Sequence, residues 1–221
     1  MNQRATELSA GQVRLNRIKL LVLWLVPFGL MAIAGVCYYL VQTGQLQLNS
    51  KNNGVLIQPP IQLQQLGELS ELDKQVGAAP HELSSDSPWA NKWSLVIPAF
   101  EQCSERCRDA LYQTRQLHIR LDKNANRVQR VLLATPASAA IVSSEDFLAF
   151  VNSDHLLLRR LLVNDGNIPE LRNAITASDG ETARFFIVDP EGWAMMVYYD
   201  AHEGNAILAD LKHLLKYSRQ R

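Results

Sequence analysis

Two cysteines four positions apart, Cys103 and Cys107, carry the clearest chemical signal in this 221-residue chain. They bound the sequence Cys-Ser-Glu-Arg-Cys, which follows an apolar run, Trp93 to Pro98, typical of a buried strand. The apolar residues after the pair have helical spacing, so the cysteines lie between a predicted strand and a predicted helix. A helix N-terminus favours a thiolate, and Arg106 and Arg108 would add positive charge. Such a pair suits a redox dithiol or two soft ligands on one metal.

The three-residue spacer places a condition on this pair. Residues four apart in a regular helix have Cβ atoms about 5–6 Å apart, more than the ~3.8 Å typical of a disulfide. We therefore expect Cys103 to lie in the loop before the helix, with Cys107 in its first turn. The alternative interpretation is a structural disulfide, or two thiols without a function.

The elements around the cysteines indicate a thioredoxin-like domain over residues 93–221. A second buried-strand pattern at Arg127 to Thr135 completes a strand–helix–strand unit, whose strands should be parallel with a right-handed crossover. Capping signals at Ser143 to Asp146 and Pro169 predict further helices, whereas the stretch 155–163 is ambiguous. The last elements are a hairpin of 183–188 with 193–199 and an amphipathic helix over 205–217. This order predicts an α/β fold with helices on both faces of a mixed sheet.

A membrane anchor precedes that domain. Residues 20–41 contain no charged side chain and are long enough to span a bilayer as one helix. Positive charges concentrate before this segment, so residues 1–19 should be cytoplasmic and the domain should lie in a periplasm or an equivalent oxidising compartment. Residues 42–92 are rich in Gln and turn residues and predict a linker. Val55 to Ile57 could supply a short strand within it.

Composition excludes some functions. The chain has 22 Lys and Arg against 22 Asp and Glu, so no long-range positive field would attract a nucleic acid. Three cysteines are too few for a disulfide-dense scaffold.

Several of these motifs resemble the Sco/SenC family, the membrane-anchored thioredoxin-like proteins that deliver copper to cytochrome c oxidase. The matching features are the anchor, the strand ending before Cys103 and Cys107, and Asp189-Pro190-Glu191-Gly192, which is similar to the family's D-P-D-G turn. Residues 53–60 and 127–131, together with the residues around Cys107-Arg108, resemble a divergent proteobacterial subgroup described as cytochrome oxidase-associated membrane proteins. The resemblance implies a bacterial inner-membrane protein, copper on Cys103 and Cys107, and oxidase subunits or other assembly factors as partners.

The chain departs from the family at its third copper ligand. The family uses a histidine in a D-H-[ST] element before the hairpin, where this chain has Gly180-Glu181-Thr182. A carboxylate is a poor ligand for Cu(I), which prefers thiolate, thioether or imidazole. His155 and His202 fall in predicted loops and are the candidate substitutes, although a lone histidine is more often an ordinary core or surface residue. Met195 and Met196 alternate on a strand, and core packing is their default role.

Three functions remain open. The leading hypothesis is an accessory factor of haem-copper oxidase assembly that uses Cys103 and Cys107 as a redox dithiol or a copper site, an assembly partner rather than an autonomous enzyme. The second is a docking protein whose thioredoxin-like domain has lost its chemistry. The third, a general disulfide reductase, expects a two-residue spacer and a cis-proline opposite the pair, and the sequence has neither.

Overall fold

The computed structural model describes residues 10–43, 52–72, 81–82, 88–89, 92–164 and 166–218, in two compact units, 1–50 and 51–221. In the first unit, one helix, α1 (Ala10–Gln42), contains a 25-residue stretch, Asn16–Leu40, that is long and apolar enough to cross a membrane. The predicted span 20–41 overlaps this stretch. Residues 1–9, which include part of the predicted cytoplasmic segment, lie outside the described residues.

The second unit is an α/β domain. Its described strands are β1 (Val55–Gln62), β2 (Glu68–Glu71), β3 (His81–Glu82), β4 (Trp93–Ala99), β5 (Val128–Ala134), β6 (Leu158–Asn164), β7 (Phe185–Val188) and β8 (Trp193–Tyr198). Its described α-helices are α2 (Glu105–Ile119), α3 (Pro136–Val142), α4 (Glu145–Asp154), α5 (Ile168–Ala174) and α6 (Gly204–Tyr217).

All eight strands form one mixed sheet in the order β1-β8-β7-β4-β5-β6-β2-β3. β4 and β5 run parallel in register, from Trp93 beside Val128 to Ala99 beside Ala134, which confirms the predicted strand–helix–strand unit. β7 and β8 form the predicted antiparallel hairpin. We call the end of the sheet at which β4 and β5 stop the cysteine end, and the end at which they start the opposite end.

Both faces of the sheet are covered, which explains why β4 reads as a continuous apolar run. Leu95 and Ile97 point into one core with α2 and α6, and Val96 points into the other core, which Leu171 of α5 also joins. Cys103 and Cys107 belong to the first core. The predicted fold class, a thioredoxin-like sheet flanked by helices, is therefore confirmed.

The predicted linker over 42–92 is wrong for residues 55–72. β1 pairs antiparallel with β8, starting with Val55 beside Val197, and β2 pairs with β6. The strand that the sequence allowed at 55–57 is thus the start of an edge strand of the domain. Residues 44–51, 73–80, 83–87 and 90–91 of the predicted linker lie outside the described residues.

A buried carboxylate fixes the start of β1 on the domain. The Asp210 carboxylate on α6 accepts hydrogen bonds from the backbone N–H of Asn53 and of Gly54, from the Asn53 side-chain amide, and from the Tyr198 hydroxyl, at 2.9–3.1 Å. Gly54 is needed there, because a Cβ would come within 2.7 Å of the Met196 and Tyr198 side chains. β1 therefore begins at the cysteine end, where β8 ends.

The stretch that the sequence left ambiguous, 155–163, contains the turn before β6 and most of that strand. Its hydrophobic pattern is irregular because β6 contains a buried arginine. Arg160 is 5% exposed, and its guanidinium donates a hydrogen bond to the Val142 carbonyl at 2.7 Å. Charged residues are rarely buried, so a strand containing one does not read as apolar.

Candidate functional site at the cysteine end

The loop between β4 and α2 holds Cys103. The carbonyls of Ala99 and Phe100, where β4 ends, accept hydrogen bonds from the hydroxyls of Ser138 and Thr135 at the start of α3. These bonds fix the first residues of the loop to a neighbouring element. Pro136 in the first turn of α3 suits a helix start, which explains why this anchoring helix begins directly after β5.

Cys103 and Cys107 form a disulfide across the start of α2. Cys103 lies before the N-cap residue Ser104, and Cys107 lies in the first turn, as the three-residue spacer required. Their Cα atoms are 5.1 Å apart, within the range usual for disulfides. Both residues are nearly buried, at 8% and 7% exposure, so only a small part of the pair faces solvent.

The backbone of α2 contributes positive potential at the sulfurs. Ser104 makes no side-chain capping hydrogen bond, so the amides of the first turn have no side-chain acceptor from the N-cap. Such amides carry the partial positive charge of the helix dipole, which stabilises a thiolate when the pair is reduced. This backbone contribution does not depend on any charged side chain.

Arg106, between the cysteines, is held by two carboxylates. Its Nη2 donates to Glu181 Oε1 at 2.7 Å, and its Nε donates to Asp200 Oδ2 at 3.0 Å. The backbone N–H of Asp200 also donates to Glu181 Oε1 at 3.0 Å, and Arg184 lies 3.6 Å from the Asp200 carboxylate. We call Arg106, Glu181 and Asp200 the carboxylate clamp. It ties the first turn of α2 to the segments before β7 and after β8.

The clamp corrects one expectation from the sequence. Arg106 was expected to add positive charge beside the sulfurs, but its two ion pairs offset that charge. Arg108 instead lies over the Phe150 ring, 5.0 Å from its centroid. Nearby, burial raises the pKa of Tyr199, and the charges of Glu181 and Asp179 raise it further. The helix amides supply positive potential that these ion pairs do not offset.

The donor set does not fit a three-ligand copper site. Glu181, at the position of the family histidine, has its carboxylate engaged with Arg106. His155 is 2% exposed and pairs through Nδ1 with Arg130, while His202 Nδ1 accepts from the Tyr199 backbone N–H. Among the described residues, no group of three or more His, Cys, Asp or Glu side chains is placed to hold a metal. Cys103 and Cys107, which form a disulfide here, stay the predicted ligands for a soft cation.

Met196 is also placed in the core rather than at the sulfurs. It is 2% exposed, and its sulfur accepts a hydrogen bond from the Tyr198 hydroxyl at 3.0 Å. Sequence reasoning thus identified the cysteine pair and the position of Glu181. It missed Asp200, because that residue belongs to no motif and reaches the site only through the fold.

Comparison with known proteins agrees with the fold. The model of a family described as "Transmembrane-like, thioredoxin-like, C-terminal domain" matches residues 93–218. No curated protein matches the chain.

Similar solved structures include copper-bound ScoI of Arabidopsis thaliana, at 15% identity over 58% of this chain and 88% of that one, with a TM-score of 0.43. Another is apo Sco1 of Thermus thermophilus, at 18% identity over 76% and 99%, with a TM-score of 0.46. A third is a DsbF homologue of Corynebacterium diphtheriae, at 10% identity over 76% and 99%, with a TM-score of 0.43.

Proposed function

The chain belongs to the transmembrane-like, thioredoxin-like family, and from this premise we propose that it is a membrane-anchored accessory factor of cytochrome c oxidase assembly. In this proposal Cys103 and Cys107 exchange electrons with cysteines of a client protein. The observation that carries it is the cysteine pair itself, closed across the N-terminus of α2 at the end of a central strand. The link to the oxidase rests on the sequence motifs around residues 53–60, Cys107 and Asp189.

The exchange requires no group outside the two proteins. In the reduced pair, the Cys103 thiolate attacks one sulfur of a client disulfide, the client S–S bond breaks, and the other client sulfur leaves as a thiol. The Cys107 thiolate then attacks the Cys103 sulfur and releases the second client thiol. The client gains two electrons from the pair and two protons, those that the Cys103 and Cys107 thiols release on ionising, and the pair becomes the disulfide. A dithiol protein must reduce the pair again, by the same two steps in reverse.

The position of Cys103 supports its role as the attacking residue. It lies outside α2, ahead of the first-turn amides, for which Ser104 provides no side-chain acceptor, whereas Cys107 is held inside the first turn. The amides lower the cost of a thiolate on Cys103. Cys107 is 5.1 Å away by Cα and is therefore in place to resolve a mixed disulfide.

We place the chain in a bacterial inner membrane, with its N-terminus cytoplasmic and residues 51–221 in the periplasm. The charge asymmetry around the apolar helix supports this orientation. The periplasm is oxidising, so a dithiol there encounters client cysteines in their disulfide form. The proposed clients are oxidase subunits or other assembly factors.

Complementation of a deletion strain tests the proposal. We expect a Cys103→Ser/Cys107→Ser variant, produced at wild-type level, to lose most of the oxidase activity measured in isolated membranes. Cys37→Ser is the matched control, because Cys37 is a free cysteine on α1, and it should restore activity fully. Full rescue by the double variant would instead identify a docking protein without cysteine chemistry.

A trapping experiment tests the order of the two attacks. Cys107→Ser should accumulate a mixed disulfide with its client, visible on non-reducing gels and lost on adding a thiol reductant. Cys103→Ser should trap far less. Equal trapping by the two single variants would contradict the assignment of Cys103 as the attacking thiol.

A second use of the pair is transient binding of Cu(I) as cargo, because two thiolates this close are soft donors for one cation. Anaerobic titration of the reduced full chain against a Cu(I) chelator tests it, with Cys103→Ser/Cys107→Ser as the blank. Glu181→His is the informative comparison, since it introduces imidazole at the family ligand position. Competitive binding by the wild type supports a copper carrier, whereas binding only after Glu181→His leaves thiol exchange as the function.

A further inference from the structure

A group of exposed apolar side chains lies at the opposite end of the sheet, away from the cysteines. The turn before β6 exposes two consecutive leucines, Leu156 at 79% and Leu157 at 69%, and Ile119 at the end of α2 is 57% exposed. These three side chains point away from the core, whereas the next residue, Leu158, is buried. Leu156 and Leu157 line two adjacent recesses, and Ile119 lines the first of these. We call these three residues the leucine patch.

Unpaired cations surround the leucine patch. The first recess, of about 220 Å³, is lined by Arg115 and Arg130. Among the described residues, neither arginine has a carboxylate oxygen within 4.0 Å. The carboxylate that lines this recess, Asp154, accepts a hydrogen bond from Ser153.

Arg130 is the unusual residue here. It is 2% exposed, and its partners are neutral: the Leu111 carbonyl at 3.0 Å, the Thr114 hydroxyl at 3.4 Å and His155 Nδ1 at 3.1 Å. Burial, followed by the charge of Arg115, lowers its pKa to about 10, so it remains a cation at neutral pH. Buried charges are usually paired, and a guanidinium matches a carboxylate with two parallel hydrogen bonds.

The second recess adds one more cation that has no carboxylate partner among the described residues. Lys92, before β4, lines it together with Arg159, which is already paired with Glu71. The surface around the leucine patch therefore combines exposed apolar side chains with Arg115, Arg130 and Lys92, none of which forms an ion pair with a described residue. Exposed apolar patches rimmed by polar residues are typical of interaction sites.

We propose that the leucine patch and its arginines bind a partner protein through a segment that alternates apolar and acidic side chains. The apolar side chains of that segment would cover Leu156 and Leu157, and a carboxylate would pair with Arg115 in front of Arg130. The cation of Arg115 beside the buried guanidinium of Arg130 favours an acidic protein segment as the occupant, because a guanidinium matches a carboxylate with two parallel hydrogen bonds. The proposal is independent of the cysteine chemistry.

Peptide binding tests this surface on the full chain in phosphatidylcholine nanodiscs. The probe is a fluorescent nine-residue peptide of alternating Leu and Glu, followed by anisotropy, with empty nanodiscs as background. Control peptides replace every Glu by Lys or every Leu by Ser. We expect the Leu/Glu peptide to bind and both control peptides to bind at least tenfold more weakly.

Variants locate the binding on the chain. Leu156→Ser/Leu157→Ser and, separately, Arg115→Gln should each weaken binding of the Leu/Glu peptide at least tenfold. The matched controls are Ile141→Ser, an exposed apolar residue on α3, and Lys212→Gln, an exposed cation on α6, and both should bind as the wild type does. Far-UV circular dichroism and an intact Cys103–Cys107 disulfide verify that each variant is folded.

Three outcomes would overturn the proposal. They are no binding of the Leu/Glu peptide, equal binding of the Leu/Lys peptide, and unchanged binding after Leu156→Ser/Leu157→Ser. A fourth is protection from hydrogen exchange at the patch on adding phosphatidylglycerol to the nanodiscs without peptide, which would assign the patch to the lipid surface instead.

Discussion

The hydrogen bonds of Asp210 should hold β1 on the domain, and removing them should release that strand. Asp210 is 3% exposed and receives hydrogen bonds from Asn53, Gly54 and Tyr198. Asp210→Ala leaves the buried N–H of Gly54 without its acceptor and leaves the Tyr198 hydroxyl only the Met196 sulfur, a weak acceptor. The unsatisfied Gly54 donor costs about 1–3 kcal/mol and the lost Tyr198 bond about 1 kcal/mol, so the free energy of unfolding should fall by about 2–4 kcal/mol.

A double-mutant cycle separates the two donors. Tyr198→Phe removes the hydroxyl and should cost about 1 kcal/mol by itself. Because Asp210→Ala already breaks that bond, the double variant should cost less than the sum of the two single variants, with a coupling of about 1 kcal/mol. Additive effects would show that the Tyr198–Asp210 bond contributes nothing to stability.

The assay combines two readouts on the full chain in nonionic micelles. Urea unfolding gives the change in free energy, and hydrogen exchange reports the opening of β1 itself. We expect the amides of β1 to exchange faster in Asp210→Ala while those of β4 keep their protection. A loss of less than 0.5 kcal/mol, with β1 exchange unchanged, would refute the reasoning.

Two further predictions concern buried groups. Burial, followed by the charge of Arg130, lowers the pKa of His155 to about 4. As the pH falls below 6.5, the unfolded chain therefore binds a proton at this histidine before the folded chain does. The free energy of unfolding should drop by about 1–3 kcal/mol between pH 6.5 and 4. His155→Gln should flatten this slope in urea midpoints measured across that range, and an unchanged slope would assign it to other groups. Gly192 has φ +92°, and a Cβ there would lie 2.7 Å from Trp89, so Gly192→Ala should cost at least about 2 kcal/mol in thermal unfolding. Gly204→Ala, where nothing lies within 4 Å, should be neutral or stabilising, and equal losses at both glycines would contradict the steric argument.

The central elements could be predicted from sequence because each is defined by local pattern. β4 and β5 are continuous apolar runs, the turn at Asp189 separates two β-rich segments, and α6 has an apolar stripe at helical spacing. The location of Cys103 before α2 followed from disulfide geometry alone. These features need only residues near one another in the chain.

The remaining features depend on long-range contacts that no local pattern encodes. Arg106 meets Glu181 and Asp200 across 75 and 94 residues, and neither carboxylate is marked by its neighbours in sequence. β1 lies in a Gln-rich segment, and its attachment depends on Asp210, which is 157 residues from Asn53. The leucine patch was also missed, because exposure of Leu156 depends on the turn before β6.

The two prolines of β1 have a consequence for how these domains behave when many share one membrane. β1 is an edge strand, and edge strands offer unpaired N–H and C=O groups to which another chain can add. Pro59 and Pro60 lack N–H groups, and the register of β1 against β8 breaks between Leu56 and Ile61. This edge is therefore a poor template for a further strand, so domains concentrated in a two-dimensional layer are protected from joining sheet to sheet through β1.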